Sequence, residues 1–205
     1  MNPLKKPLHM ALVALASLQL SGCSRTVEWE EEVLLNTGET ITVHKEVRYS
    51  IKGQPGNPAD LGYLPDFVET TSFQYGGRSY VYKGEAGIMV LAISPQKLPV
   101  LLAPPGSKGW DDNHRYPLCA KPNYVQLMPD GTGQQWNWPD QIEPWTYNLP
   151  ANLMLHRAST SDVKRRYTMA DKAKQGYMQD PQSLYLQKID SERTNQNCHT
   201  RSTQP

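Results

Sequence analysis

Residues 27–49 read VEWEEEVLLNTGETITVHKEVRY, and the period of this stretch decides the fold. Val27, Trp29, Val33 and Leu35 fall on odd positions, with Glu28, Glu30 and Glu32 between them and one charged break at Glu31. Ile41, Val43, Val47 and Tyr49 repeat the pattern, while Thr40, Thr42, His44, Glu46 and Arg48 take the even positions. A period of two belongs to strands with one buried face. Asn36-Thr37-Gly38 separates the two runs, and a three-residue hairpin loop with glycine in the left-handed position is a common connection. An odd-numbered loop pairs odd residues with odd residues, so both apolar faces coincide. The stretch therefore predicts an antiparallel hairpin.

Further along, residues 54–65 (QPGNPADLGYLP) read as a proline- and glycine-rich loop. Gly76-Gly77 marks a turn, followed by a short strand with Tyr80 and Tyr82 on one face. IMVLAI, 88–93, is apolar throughout and predicts a strand buried on both faces. Ten prolines lie between Pro95 and Pro150. An interior proline costs a helix ~3 kcal/mol, so no long helix is expected there, although short strands with prolines at their ends are compatible. YVQLM (124–128), the turn signal Pro129-Asp130-Gly131 and QWNW (135–138) predict a second hairpin. The spacing of Val163, Tyr167, Ala170, Ala173 and Tyr177 predicts one helix over 161–177, capped by Asp162. A last strand is expected near 184–189. Many short antiparallel strands with turn signals between them predict a mainly β fold, a β-sandwich or open barrel, with one C-terminal helix.

The start of the chain speaks to location. Lys5 and Lys6 precede an apolar run, MALVALASLQL (10–20), that ends at Ser21-Gly22-Cys23. This is the layout of a secretory signal, and the run falls short of the ~20 residues that a membrane-spanning helix needs. Leu20-Ser21-Gly22-Cys23 resembles the lipobox of bacterial lipoproteins, and the chain as a whole resembles small envelope lipoproteins of Gram-negative bacteria. The resemblance implies that Cys23 takes a diacylglyceryl group, that residues 1–22 are removed and that the new amino terminus is acylated, palmitate being typical. Ser24 stands where aspartate would favour the inner membrane, which implies an outer-membrane, periplasm-facing protein. The expected organisation is a removed signal (1–22), a lipidated N-terminus (23–26), one domain (27–190) and a polar tail (191–205).

The chain carries 21 basic and 20 acidic residues. The segment to be removed contains two of the basic ones, so the mature protein is close to neutral and has no basic footprint for nucleic acid. Cys119 and Cys198 remain. In an oxidising periplasm an even pair predicts a disulfide that staples the tail, worth about 4.5 kcal/mol on the chain-entropy model.

WNWPDQIEPW, 136–145, holds three tryptophans. Trp136 and Trp138 share a face on a strand, which reads either as core or, with Trp145 and Tyr147, as a platform for a glycan or small ligand. Asp111-Asp112-Asn113-His114 lacks the alternation of a hard-cation loop, and His44, His156 and His199 are scattered, so neither metal nor cofactor is expected. The acid run Glu28, Glu30, Glu31 and Glu32 reads as a solvated sheet face or an acidic docking patch, with His44 and Arg48 as close partners. Lys164-Arg165-Arg166 reads as the wet side of the helix. No nucleophile elbow, zinc-protease pair or phosphate loop is present. The readings that remain are a non-enzymatic interaction or structural module, whose partners are the membrane through its lipid and another envelope protein; a ligand-binding module; and, third, a hydrolase with no visible signature, since catalytic residues can lie far apart in sequence.

Overall fold

The computed structural model describes residues 24–54, 57–85, 87–104, 121–137, 142–154, 165–174 and 188–192. The opening hairpin forms as its pattern dictates. Strands β1 (Ser24–Leu34) and β2 (Thr40–Gln54) pair odd with odd, Val33 opposite Ile41 and Val27 opposite Val47. The loop closes through Leu35 N–H to the Glu39 carbonyl at 2.8 Å, and Gly38 takes φ 85°, a conformation that costs glycine little.

The second strand of this hairpin does not stop where composition suggests. Residues 57–65, expected as a loop, belong to β3 (Asn57–Tyr75), which pairs with β2 as far as Gln54 opposite Asn57. Register shifts between Val47 and Tyr49 and between Gly53 and Gln54 absorb the irregular sequence, so the prolines and glycines bend the ladder instead of ending it. A turn at Gly76-Gly77 leads to β4 (Arg78–Gly84). The second sheet contains β5 (Val90–Ile93), β6 (Pro99–Ala103), β7 (Val125–Pro129) and β8 (Trp136–Asn137). β6 starts on a proline, where no inward N–H is lost.

The predicted helix over 161–177 is corrected. Residues 161–164 and 175–177 lie outside the described set, and Arg166–Tyr167 form β9, parallel to β1. The helix proper, α1, is Met169–Lys174. Tyr167 is drawn into the sheet because it fills an apolar pocket with Val27, Trp29, Val47, Tyr49 and Met154. The cap is Thr168: its hydroxyl accepts from Asp171 N–H at 3.1 Å, while Asp171 Oδ2 accepts from Thr168 N–H at 3.0 Å, a reciprocal capping box. The expected cap Asp162 and most of the expected strand at 184–189 also lie outside the described residues; Lys188 makes an isolated bridge to Pro150.

Among the described residues the architecture is two open sheets face to face, ordered β4-β3-β2-β1-β9 and β5-β6-β7-β8, with one short α-helix. Val33, Val43, Phe73, Tyr80 and Tyr82 of the first sheet meet Leu91, Ile93, Leu101, Val125 and Leu127 of the second. The far face of the second sheet is covered by Ile142, Ala151 and Ile189. This double covering accounts for the uninterrupted apolar run at 88–93.

Two asparagines close the open edge of β5. Asn36 donates from Nδ2 to the Ile93 carbonyl at 2.9 Å and accepts at Oδ1 from Ile93 N–H at 2.7 Å. Asn152 does the same at Leu91, at 2.8 and 2.9 Å, and its Nδ2 also reaches the Leu34 carbonyl at 2.9 Å. A side-chain amide has the donor and acceptor of a peptide group, so each replaces one residue of a missing strand and ties the two sheets together.

Candidate functional site

The inner face of the first sheet carries charge where its period calls for apolar residues. Glu31 is the break already visible in the sequence, and Lys45, on the same face, is a second that the apolar neighbours Val43 and Val47 conceal. Glu31 accepts from Lys172 Nζ of α1 at 2.7 Å and from Met154 N–H at 2.9 Å, with both side chains of the ion pair essentially inaccessible. Lys172 spends its other donors on the carbonyls of Glu32 and Asn152, at 2.8 and 2.7 Å. Lys45 donates to Glu69 Oε1 at 2.8 Å and to the Thr71 hydroxyl at 3.0 Å; the same Glu69 oxygen accepts from Ile88 N–H. Burial pulls the Lys172 ammonium below the ordinary lysine range, the Glu31 carboxylate opposes that shift, and Lys45 reinforces it. The result is a chain of buried charges between the large apolar cluster and the Trp29–Tyr167 cluster. Its hydrogen bonds fasten α1 and residues 152–154 to the sheet, which is a structural role.

The outer face holds the open hollow. About 410 Å³ is lined by Glu30, Thr42, His44, Ser72, Gln74 and Ser79 together with Phe73, Tyr80 and Val81, a volume within the range of small-ligand sites. Glu30 lies directly across from His44 in the ladder, as the sequence pattern required, whereas Arg48 lies across from Thr26 and donates to the Ser24 hydroxyl at 3.2 Å. The acid run is thus divided. Glu28 and Glu30 face water, Glu31 is buried, and Glu32 accepts from Met169 N–H at 3.0 Å with Arg166 at 3.9 Å. Arg165 and Arg166 are exposed but lie on and beside β9 instead of on the helix.

The tryptophans separate. Trp136 is half-buried against Phe73, Tyr80 and Tyr82, with ring centroids 6.2–6.5 Å apart, and donates from Nε1 to the Val81 carbonyl at 2.7 Å. The Gly133 carbonyl accepts from Val81 N–H at 3.2 Å, so the 130–136 turn caps the edge strand β4. Asp130 holds that turn by accepting from Thr132 and Gly133. The Thr132 hydroxyl, followed by backbone N–H groups, keeps the Asp130 carboxyl below the usual carboxylate range despite some desolvation. Trp145 and Tyr147 pack on the other cluster, and Trp145 Nε1 donates to Glu143 at 2.7 Å. Trp136 and Trp145 therefore share no common platform; Trp138 lies outside the described residues. Replacing Trp136 with phenylalanine is expected to cost about 1 kcal/mol, the value of one net hydrogen bond, measurable by urea unfolding, with faster amide exchange confined to β4.

Tyr49 is buried beside Trp29, and burial pushes its phenol above 10. A group raised on folding contributes stability that is complete below the unfolded value near 10 and is lost as pH rises through the folded value. Alkaline titration at 295 nm should show a late-titrating tyrosine that is lost in Tyr49→Phe.

Cys23, Cys119, Cys198 and the 111–114 segment lie outside the described residues. Among the described residues no cluster of three metal-ligating side chains occurs, and no helix is long and apolar enough to cross a membrane. No protein-family model, curated protein or solved structure matches the chain.

Proposed function

We propose that this is a lipid-anchored outer-membrane lipoprotein, attached through Cys23, whose β-sandwich faces the periplasm as a non-enzymatic interaction or structural module for another envelope protein. The observation that carries this reading is the lipobox Leu20-Ser21-Gly22-Cys23 at the end of the apolar run 10–20, preceded by Lys5 and Lys6. Ser24, one residue after Cys23, is already in a strand, so several acyl chains on Cys23 hold the sandwich close to the membrane surface. Cys119 and Cys198 are proposed to form the disulfide that fixes the tail.

Alkyne-labelled fatty acid supplied to growing cells should be incorporated into the wild-type protein, which should sediment with outer membranes. Cys23→Ala should do neither. Wild-type protein without acyl chains, together with a variant that still sediments with membranes, would overturn the reading.

A second reading, binding of a hydroxyl-rich small ligand such as a glycan fragment, is favoured by the mixed lining of the outer hollow, where Glu30, Thr42, His44, Ser72, Gln74 and Ser79 supply polar groups beside Phe73, Tyr80 and Val81. It predicts saturable shifts of His44 ring resonances on titration with peptidoglycan fragments.

A further inference from the structure

The outer hollow gathers polar side chains that the fold itself does not use. Two rows of the ladder form its floor. In one, Glu30 lies across from His44, His44 from Ser72 and Ser72 from Val81; in the next, Gln74 lies across from Ser79, with Thr42 two residues from His44 on the same face. Rows on one face of a sheet are two residues apart, about 7 Å, and three strands span about 10 Å, which is the footprint of a sugar ring with its substituents. The ladder engages the backbone between these strands, so a ligand meets side chains. Among the described residues none of the six polar side chains of the hollow makes a hydrogen bond or ion pair within the protein. Elsewhere such groups hold the fold together: Asn36 and Asn152 at β5, Glu143 with Gln126 and Trp145, and Asp130 within its own turn.

The lining also indicates how a ligand is held. Phe73 and Tyr80 are buried and stacked on each other in the inner apolar cluster, so neither turns a ring face to the hollow. A sugar therefore finds no aromatic surface to stack on, and affinity has to come from hydrogen bonds and charge. The charge is Glu30. It is exposed, and Arg166, its neighbour on β9, lies 3.9 Å from Glu32 instead. A carboxylate forms its strongest hydrogen bonds with cationic donors, whereas hydroxyl and amide groups such as those of Ser72 and Gln74 both donate and accept, as sugar hydroxyls do. We infer that the outer hollow takes a hydroxyl-rich ligand bearing an ammonium group, an amino sugar with its nitrogen unacylated, with Glu30 on the ammonium and His44, Ser72 and Gln74 on the hydroxyls. This rests on the reading of the hollow as a ligand site and narrows it, because an N-acylated sugar has no cation for Glu30.

The test titrates full-length, isotope-labelled protein in detergent micelles with glucosamine, N-acetylglucosamine and peptidoglycan fragments, in low-salt neutral buffer where glucosamine is mostly an ammonium. The His44 ring resonances, assigned with His44→Gln, report binding. Glucosamine is expected to bind about fivefold tighter than N-acetylglucosamine, the upper end of what an exposed charge pair contributes. Glu30 is exposed, so Glu30→Gln leaves the core intact; it is expected to abolish the preference and to keep the weaker binding of N-acetylglucosamine. Glu39→Gln, which removes an exposed carboxylate outside the hollow, is expected to keep the preference. Equal binding of the two sugars, a preference that survives Glu30→Gln, or one that disappears in Glu39→Gln overturns the ammonium site, and saturable shifts with N-acetylglucosamine or peptidoglycan fragments then leave the ligand reading standing. No shift with any of the three removes the ligand reading, and the ammonium site with it.

Discussion

Lys172→Met is expected to cost about 3–5 kcal/mol of folding stability, the penalty for stranding the other half of a buried ion pair. Methionine matches the length of the lysine stem but leaves Glu31 buried with only Met154 N–H to answer it. It also removes the donors that hold the carbonyls of Glu32 and Asn152. Urea unfolding should show the loss at neutral pH, and the deficit should shrink on acidification as the stranded carboxylate takes up a proton. The double variant Glu31→Gln with Lys172→Met should regain much of the loss, because glutamine still accepts from Met154 N–H and carries no charge. A single-variant loss below about 1 kcal/mol, typical of an exposed pair, would contradict the buried geometry. Replacing a buried pair by apolar residues is often neutral, so the pair is better understood by what it specifies. A slip of β1 by one residue would turn Glu31 to solvent and Glu30 or Glu32 inward, and Lys172, fixed on α1, matches only one register.

Asn152→Ala should be nearly as costly, about 3 kcal/mol or more. It orphans Leu91 N–H, the Leu91 carbonyl and one bond to the Leu34 carbonyl, and an unsatisfied buried polar group costs about 1–3 kcal/mol. Asn36→Ala is the comparison: it removes the equivalent pair at Ile93, but from an exposed loop where water substitutes, so about 1 kcal/mol is expected. Denaturant midpoints of the two variants measure the difference. Equal losses would mean that Asn152 works as a surface residue.

What the sequence disclosed follows from the range of each interaction. The 27–49 hairpin was legible because strand period, loop length and Gly38 all act within a few residues of one another. The apolar run at 88–93 was legible for the same reason. Glu31 was visible as an anomaly, but its partner is 141 residues away, and no local pattern connects them. Lys45 was harder still, since its partners Glu69 and Thr71 sit in a strand of their own. The 57–65 segment was misread because proline and glycine favour turns locally, whereas a neighbouring strand can hold a bulged ladder through them. Tyr167 fits a helical period, yet the pocket beside Trp29 and Val47 places it in the sheet. The tryptophan cluster looked continuous only along the chain; folding sends Trp136 to one apolar cluster and Trp145 to another.

The most direct measurement is the mass of the N-terminal peptide of protein extracted from membranes. The predicted result is a peptide beginning at Cys23 with a diacylglyceryl thioether and an acylated amine. A peptide beginning elsewhere, or one containing an unmodified Cys23, would contradict lipid anchoring.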